Sequence, residues 1–300
     1  MSRKLVMIGQ GAWGRALAQV FRDGGHTVDV WSRSHPTAEF ATSDACVFAL
    51  PAQTLRNVTT ALPLRKETPL IITAKGIEQG SHRFVHEVAG DAAPHLKPMI
   101  LSGPSFAADV LQGLPTAVTL AAQTAEDATD WAQALSRPSF RIYASDDLMG
   151  VALGGALKNV LAIACGMSDG MGLGESARAA LIARGFSELQ RLGQALGAKP
   201  QTLMGLSGLG DLLLTCSSPQ SRNYSFGRRI GEGQTVAQSL AAASGVVEGM
   251  LSAAAAVDLA RSAQVDMPIT QAVAAIIEGR YSPQQAVGAL LSRPIGHEFL

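Results

Sequence analysis

The chain opens with a short apolar run, Lys4–Ile8, and passes at once into Gly9-Gln10-Gly11-Ala12-Trp13-Gly14. Alone, a G-x-G-x-x-G spacing says little. Here it follows a strand pattern and opens a helix pattern, the context that gives it meaning. Arg15–Asp23 has helical spacing through Leu17, Ala18 and Phe21, Gly24-Gly25 stops it, and Thr27–Trp31 reads as a second strand. In such a βαβ unit Gly9 permits the tight turn and Gly11 lets backbone approach a pyrophosphate. Gly14 lets helix and strand pack closely, and the helix N-terminus faces the phosphates. The plainer alternative is a glycine-rich turn with no ligand.

Further strands are expected at Ala45–Leu50, Leu70–Thr73 and Met99–Ser102. They end in the loops Pro51-Ala52-Gln53, Ala74-Lys75-Gly76 and Gly103-Pro104-Ser105-Phe106, where open α/β sheets hold their ligands. Thr116–Ala121 and Phe140–Ala144 read as two more strands, with a helix at Ala125–Leu135 between them. After Ser145-Asp146-Asp147 the strand signal stops. Ala- and Leu-rich helical stretches follow, broken near Gly172–Gly174, Gly205–Gly210, Gly231–Gly233 and Gly245. The expected fold class is α/β. A Rossmann-type doubly wound sheet occupies residues 1–145, and an all-α C-terminal substrate domain occupies 146–300.

With 300 residues and 47% hydrophobic content, the chain can bury one large core or two. Its zero net charge and 16% charged residues point away from nucleic acid or an acidic membrane surface. Cys46, Cys165 and Cys216 are odd in number and widely spaced, which fits reduced, buried thiols of a cytoplasmic protein rather than disulfides or zinc. The apolar start is too short for a signal-peptide core, and the run around Ala156–Met167 is too short between charges to span a bilayer. No metal site is expected. His82 and His86 share a helical spacing but lack further ligands, so a solvated helix face is the reading there.

Lys158 is the one charged residue between Asp147 and Asp169, inside Gly150–Asn159, GVALGGALKN. A helix lysine normally snorkels to water. Against that reading, Gly154 lies one turn earlier on the same face with Gly155 beside it, and a mid-helix glycine costs roughly 1 kcal/mol. Something must approach the backbone closely there. A partly desolvated ammonium has a lowered pKa and can pass a proton to a carbonyl oxygen.

Cofactor choice turns on the end of the second strand. Asp29 sits too early to mark the ribose 2′-hydroxyl of NAD, because Val30 and Trp31 continue the strand beyond it. The strand ends in Ser32-Arg33, and a guanidinium there can grip a 2′-phosphate bidentately. NADP is therefore expected, with NAD possible; the alternative for Arg33 is a solvated loop residue.

The turn GQGAWGRALA, the loops AKG and GPSFA, the run GGALKNVLAIACGMSDGMGLGESARAALIARG, and GLSGLGDLLLTC, SRN and VVEG together resemble bacterial-type NAD(P)-dependent glycerol-3-phosphate dehydrogenase. The resemblance runs through nearly the whole chain, in order. It implies interconversion of sn-glycerol 3-phosphate and dihydroxyacetone phosphate, supplying phospholipid synthesis; the partner is a small-molecule triose phosphate, and a homodimer is possible. It implies Lys158 as the acid that protonates the ketone oxygen. Substrate contacts would come from Lys75, Gly103, Ser105, Asp211, Ser221, Arg222 and Asn223. Cofactor contacts would come from Gly9, Gly11, Trp13, Gly14, Arg33, Lys75, Ala107, Arg222, Val246 and Glu248. Independently, the Ser-Arg-Asn triplet supplies the donors a phosphorylated substrate needs, although such residues are common in loops. Asp211, after three glycines, can equally be read as a helix N-cap.

The chain departs from the family at Gln10, Met250 and Ser252, and more deeply between Arg33 and Ala45. The resemblance implies a helix and another strand there, about thirty residues more; His35–Asp44 is too short for a helical crossover plus a strand, since a crossover alone takes a dozen or more. The sheet edge beyond the second strand should be lost or reduced, leaving the adenine end of the cofactor site open. Two other functions remain: a reductase of similar architecture acting on a hydroxyacid or ketoacid, and a catalytically silent nucleotide-binding regulator. The first would not need the Ser221-Arg222-Asn223 and Asp211 set; the second would be expected to lose Lys158, Lys75 or Asp211.

Overall fold

The computed structural model describes residues 2–34, 36 and 38–295. Strand β1 (Lys4–Ile8), helix α1 (Ala12–Asp23) and strand β2 (Thr27–Trp31) form the opening βαβ unit. The helix takes in Ala12–Gly14, three residues more than the apolar spacing indicated, because the glycine turn itself winds into its first turn. Then come β3 (Ala45–Phe48), α2 (Leu55–Ala61), β4 (Pro69–Ile72), α3 (Val85–Ala92), β5 (Lys97–Ser102), α4 (Ala107–Leu111), β6 (Thr116–Ala121), α5 (Ala125–Leu135) and β7 (Phe140–Ser145). Helices make up the rest: α6 (Leu148–Gly170), α7 (Glu175–Ala195), α8 (Pro200–Met204), a π-helical turn at Leu206–Gly210, α9 (Asp211–Cys216), α10 (Arg222–Gly231), α11 (Val236–Ala241), α12 (Glu248–Ser262), α13 (Pro268–Ile277) and α14 (Pro283–Leu291).

The seven strands run in the order β2-β1-β3-β4-β5-β6-β7, parallel except where β6 meets β5. Ile8, Phe48, Ile72 and Ile100 lie in register across four strands and are almost wholly buried. In this apolar row Ile8, Phe48 and Ile72 end their strands and Ile100 lies two residues before the end of β5, so the loops that follow share one edge of the sheet. α1 and α5 pack on the opposite face.

The N-terminal half of α6 packs in the same core as that row, and its C-terminal half packs in the helical core. Asp147 caps it: one carboxylate oxygen accepts from Gly150 N at 2.8 Å and the other from Lys199 N at 2.8 Å. By length and composition α6 could cross a membrane, yet it is buried inside the protein's own fold. Lys158 lies where its two halves meet.

At the short link, β2 is the edge strand of the sheet among the described residues. His35 and Thr37 lie outside the described residues, and the remainder of the link holds no helix or strand before β3. Phe40 turns into the core, and Asp44 pairs its backbone and carboxylate with Lys4, bringing the chain back beside β1.

One local reading, the solvated helix face at His82 and His86, needs correction. His82 is not on a helix: it sits in the turn before α3 with φ +56° and faces Asp258, while His86 is on α3, partly buried and stacked on Phe84. All three cysteines are free and buried.

Candidate active site

α6 positions the central lysine. Its Nζ donates to Asp211 Oδ1 at 2.7 Å and to Thr215 Oγ1 at 2.9 Å, while the Thr215 hydroxyl donates to the Asp211 carbonyl at 2.6 Å. Lys75, in the loop after β4, donates to Asp211 Oδ2 at 2.7 Å and to the Gly103 carbonyl at 3.1 Å. One fully buried carboxylate thus holds two ammonium groups from different parts of the fold, and the set keeps a net positive charge. Asp211 is the first residue of α9, after Gly210, and its side chain is spent on the lysines. It is therefore not an N-cap.

Burial pulls the Lys158 ammonium down from its ordinary value to about 8; Asp211 opposes that pull, and Lys75 adds to it. Burial would raise the Asp211 carboxyl, but the two ammonium groups outweigh it and hold the group below the usual range. What approaches the α6 backbone at its glycines is protein: a Cβ on Gly154 would lie 2.6 Å from the Ser207 carbonyl, and one on Gly155 3.0 Å from the Ser102 hydroxyl.

Ser105 Oγ also donates to the Gly103 carbonyl at 3.1 Å, closing the loop after β5 on itself. Ser221 caps α10, accepting from Tyr224 N, and Arg222 is exposed. Asn223 is buried: its amide donates to Asn159 Oδ1 at 2.9 Å and its oxygen accepts from Gly249 N at 2.9 Å, while Asn159 donates to the Lys75 carbonyl. This amide chain ties α6, α10 and α12 to the Lys75 loop. Thr215 and Asn159 were not among the residues singled out from sequence. Thr215 sits four residues after Asp211, the spacing that puts both on one helical face, and Asn159 is the immediate neighbour of Lys158.

At the glycine-rich turn, Gly9 has φ +120° and a Cβ there would strike the Ala49 carbonyl at 2.6 Å. A Cβ on Gly14 would lie 2.4 Å from the Gly9 carbonyl, whereas Gly11 faces open space. Glu248, the first residue of α12, accepts from Ala52 N at 3.1 Å, and its second oxygen is buried without a partner. Burial raises its pKa. A bare Gly11 at a helix N-terminus and an unpaired buried carboxylate oxygen next to the loop after β3 fit a dinucleotide laid across the sheet edge. Arg222 lies against the loop leading to Glu248, where a Cβ on Gly245 would come within 2.6 Å of its guanidinium. Val246 is partly exposed on that loop, Trp13 and Ala107 pack on the α1 side of the sheet, and Arg33 is exposed just past β2.

A dinucleotide-type sheet that delivers one lysine to a second, buried lysine and its carboxylate defines a two-part nicotinamide-dependent oxidoreductase. A profile described as NAD-dependent glycerol-3-phosphate dehydrogenase C-terminus matches residues 147–288, and its N-terminus counterpart matches 4–40 and 34–128. The chain belongs to the NAD-dependent glycerol-3-phosphate dehydrogenase family.

It is 47% identical to the glycerol-3-phosphate dehydrogenase (NAD(P)+) of Parvibaculum lavamentivorans, covering 99% of this chain and 98% of that one. It is 47% identical to that of Rhodopseudomonas palustris strain BisA53, covering 98% of each. The crystal structure of glycerol-3-phosphate dehydrogenase from Coxiella burnetii superposes with a TM-score of 0.90 at 35% identity, covering 97% of this chain and 99% of that one. The first alignment spans 327 positions, more than the 300 residues here, so that relative carries residues this chain lacks. The N-terminal profile breaks at the short link.

Proposed function

We propose that this chain interconverts sn-glycerol 3-phosphate and dihydroxyacetone phosphate with NAD(P)H, and that Lys158 is the general acid and base. The observation that carries this reading is the buried Lys158–Asp211–Lys75 cluster. Reduced nicotinamide, when bound, supplies a hydride to the carbonyl carbon. As the C=O electron pair moves onto oxygen, Lys158 gives that oxygen a proton; in the reverse direction its neutral amine takes the hydroxyl proton. Asp211 and Thr215 occupy two of its three N–H bonds, leaving the third for the substrate oxygen. A lysine whose pKa is lowered to about 8 is well matched to both directions, since proton transfer works best with a pKa near the operating pH.

Lys75 supplies a second cation beside the reacting oxygen, with Gly103 and Ser105 shaping that loop. Arg222 reaches the substrate phosphate together with the Ser221 and Asn223 end of α10. The glycine turn, Trp13, Ala107, Val246, Glu248 and Arg222 line the nicotinamide nucleotide, and Arg33 selects NADP by its 2′-phosphate. Residues 1–145 act as the dinucleotide-binding unit and 146–300 as the substrate unit. The three buried free thiols support a reducing, cytoplasmic setting, and the reading includes a role in phospholipid synthesis and a homodimer.

Loss of reduced-nicotinamide absorbance with dihydroxyacetone phosphate, unphosphorylated dihydroxyacetone and a set of 2-keto acids tests the reading. Turnover confined to the phosphorylated ketone is expected. Preference for a keto acid would assign the chain to the other reductases of this architecture, and no turnover with any substrate would favour the regulator.

A further inference from the structure

The turn that delivers Asp211 is clamped. On one side it meets α6, where a Cβ on Gly154 would lie 2.6 Å from the Ser207 carbonyl oxygen and 3.0 Å from Gly208 Cα. On the other it meets α8, where a Cβ on Gly208 would lie 1.9 Å from the Leu203 carbonyl. Lys158 stands one helical turn beyond Gly154 on the same face of α6. The separation between turn and helix therefore sets the separation between carboxylate and ammonium.

We infer that Gly154 is a positioning residue for proton transfer: lacking a side chain, it lets the Leu206–Gly210 turn seat on α6 and so holds Asp211 against Lys158. The inference rests on Lys158 being the acid–base group. In Gly154→Ala the blocking atom is backbone, so the turn must shift as a unit. Any shift away from 2.7 Å weakens the pair. Burial and Lys75 both favour the neutral amine, while Asp211 and, more weakly, Cys216 favour the charged form. Thr215 Oγ1 accepts a further hydrogen bond from the ammonium at 2.9 Å. The proton on Lys158 is then held less tightly.

The test follows the Cε resonance of Lys158 in protein labelled with carbon-13 lysine, identified by its loss in Lys158→Arg. In Gly154→Ala, proton binding by Lys158 is expected to weaken about three- to ten-fold. The alkaline limb of kcat for ketone reduction moves down by the same factor, and KM changes less. Gly155→Ala is the comparator. It restores the same helix propensity, but its Cβ meets side-chain atoms, the Ser102 hydroxyl at 3.0 Å and Lys75 Cγ at 3.4 Å, which can yield. Its titration is expected to move less than that of Gly154→Ala, because the Lys75 contact is an ordinary van der Waals one.

An unchanged Lys158 titration in Gly154→Ala, or an equal shift in Gly155→Ala, overturns the inference. If Gly154→Ala does not fold, Gly205→Ala decides instead. Its Cβ would lie 3.3 Å from the Thr202 carbonyl, a gentler push at the head of the same turn. A smaller weakening supports the inference and none overturns it. Retained turnover in Lys158→Ala would sink the acid–base reading, leaving the resonance to judge the positioning by itself.

Discussion

At the scale of single residues, chemistry here depends on how one ammonium spends its three N–H bonds. Two go to Asp211 and Thr215, so the third is aimed without any rotamer search. Lys158→Ala is expected to cut turnover by about two to four orders of magnitude, the usual worth of a positioned general acid. Nucleotide binding, measured by fluorescence titration, should be largely kept; near-normal turnover would remove the lysine from the mechanism. The pH dependence has a definite sign. An acid must be protonated to act, so kcat for ketone reduction should hold below about 8 and decline as pH rises through it, while kcat for alcohol oxidation rises over the same range. An identical limb in both directions would assign the titration to another group. Arg222 is tested through substrate binding: Arg222→Ala should raise KM for dihydroxyacetone phosphate ten-fold or more, given about 1.5–3 kcal/mol for a charge-assisted contact. An unchanged KM would move the phosphate elsewhere.

At the scale of elements, α6 carries the molecule, and glycine decides what can touch it. Gly166 and Gly170 on α6 face Gly227 and Gly231 on α10, and a Cβ on any of the four would come within 2.0–2.3 Å of a backbone carbonyl of the facing helix. Glycine spacing in sequence reads mainly as turns; Gly231, which that spacing puts in one, is the last residue of α10 and packs on the Met167 carbonyl. A glycine that breaks a helix and one that admits a neighbouring helix look alike in one dimension. Gly227→Ala should cost about 1–3 kcal/mol of overpacking, offset by roughly 1 kcal/mol of recovered helix propensity, for a net destabilisation of up to about 2 kcal/mol. The denaturant midpoint would fall with an unchanged slope, and a midpoint that rises would show the helices are free to separate. Another buried device anchors α13. Glu188 accepts from Ile269 N and from the backbone and hydroxyl of Thr270, satisfying donors at that helix start, and burial raises it to about 7.

At the scale of the whole molecule, the sheet ends at β2 among the described residues, and the nucleotide's adenosine end would lie beside that edge. Arg33 is exposed there. Arg33→Asp should weaken NADPH binding and spare or improve NADH, most clearly at low salt, because an open site is wet and screened. Titrating both nucleotides at two salt concentrations checks it, and equal weakening of both would leave NADP preference without its main support. Legible in the residues alone were the βαβ opening, the seven strands in chain order, the span of α5 and the lysine worth asking about. Each of these is local, written in the period of apolar residues and in glycines next to them. Tertiary structure alone decided that Asp211 serves two lysines rather than a helix end. It also decided that Thr215 joins them and that His82 sits in a turn facing Asp258. Those partners stand 53 to 176 positions apart, except for Thr215 and Asp211, so no short-range pattern encodes them. Lys158, Asp211 and Thr215 meet because α6 runs through both cores, and burying one charged helix residue there is stable where a distant carboxylate meets it.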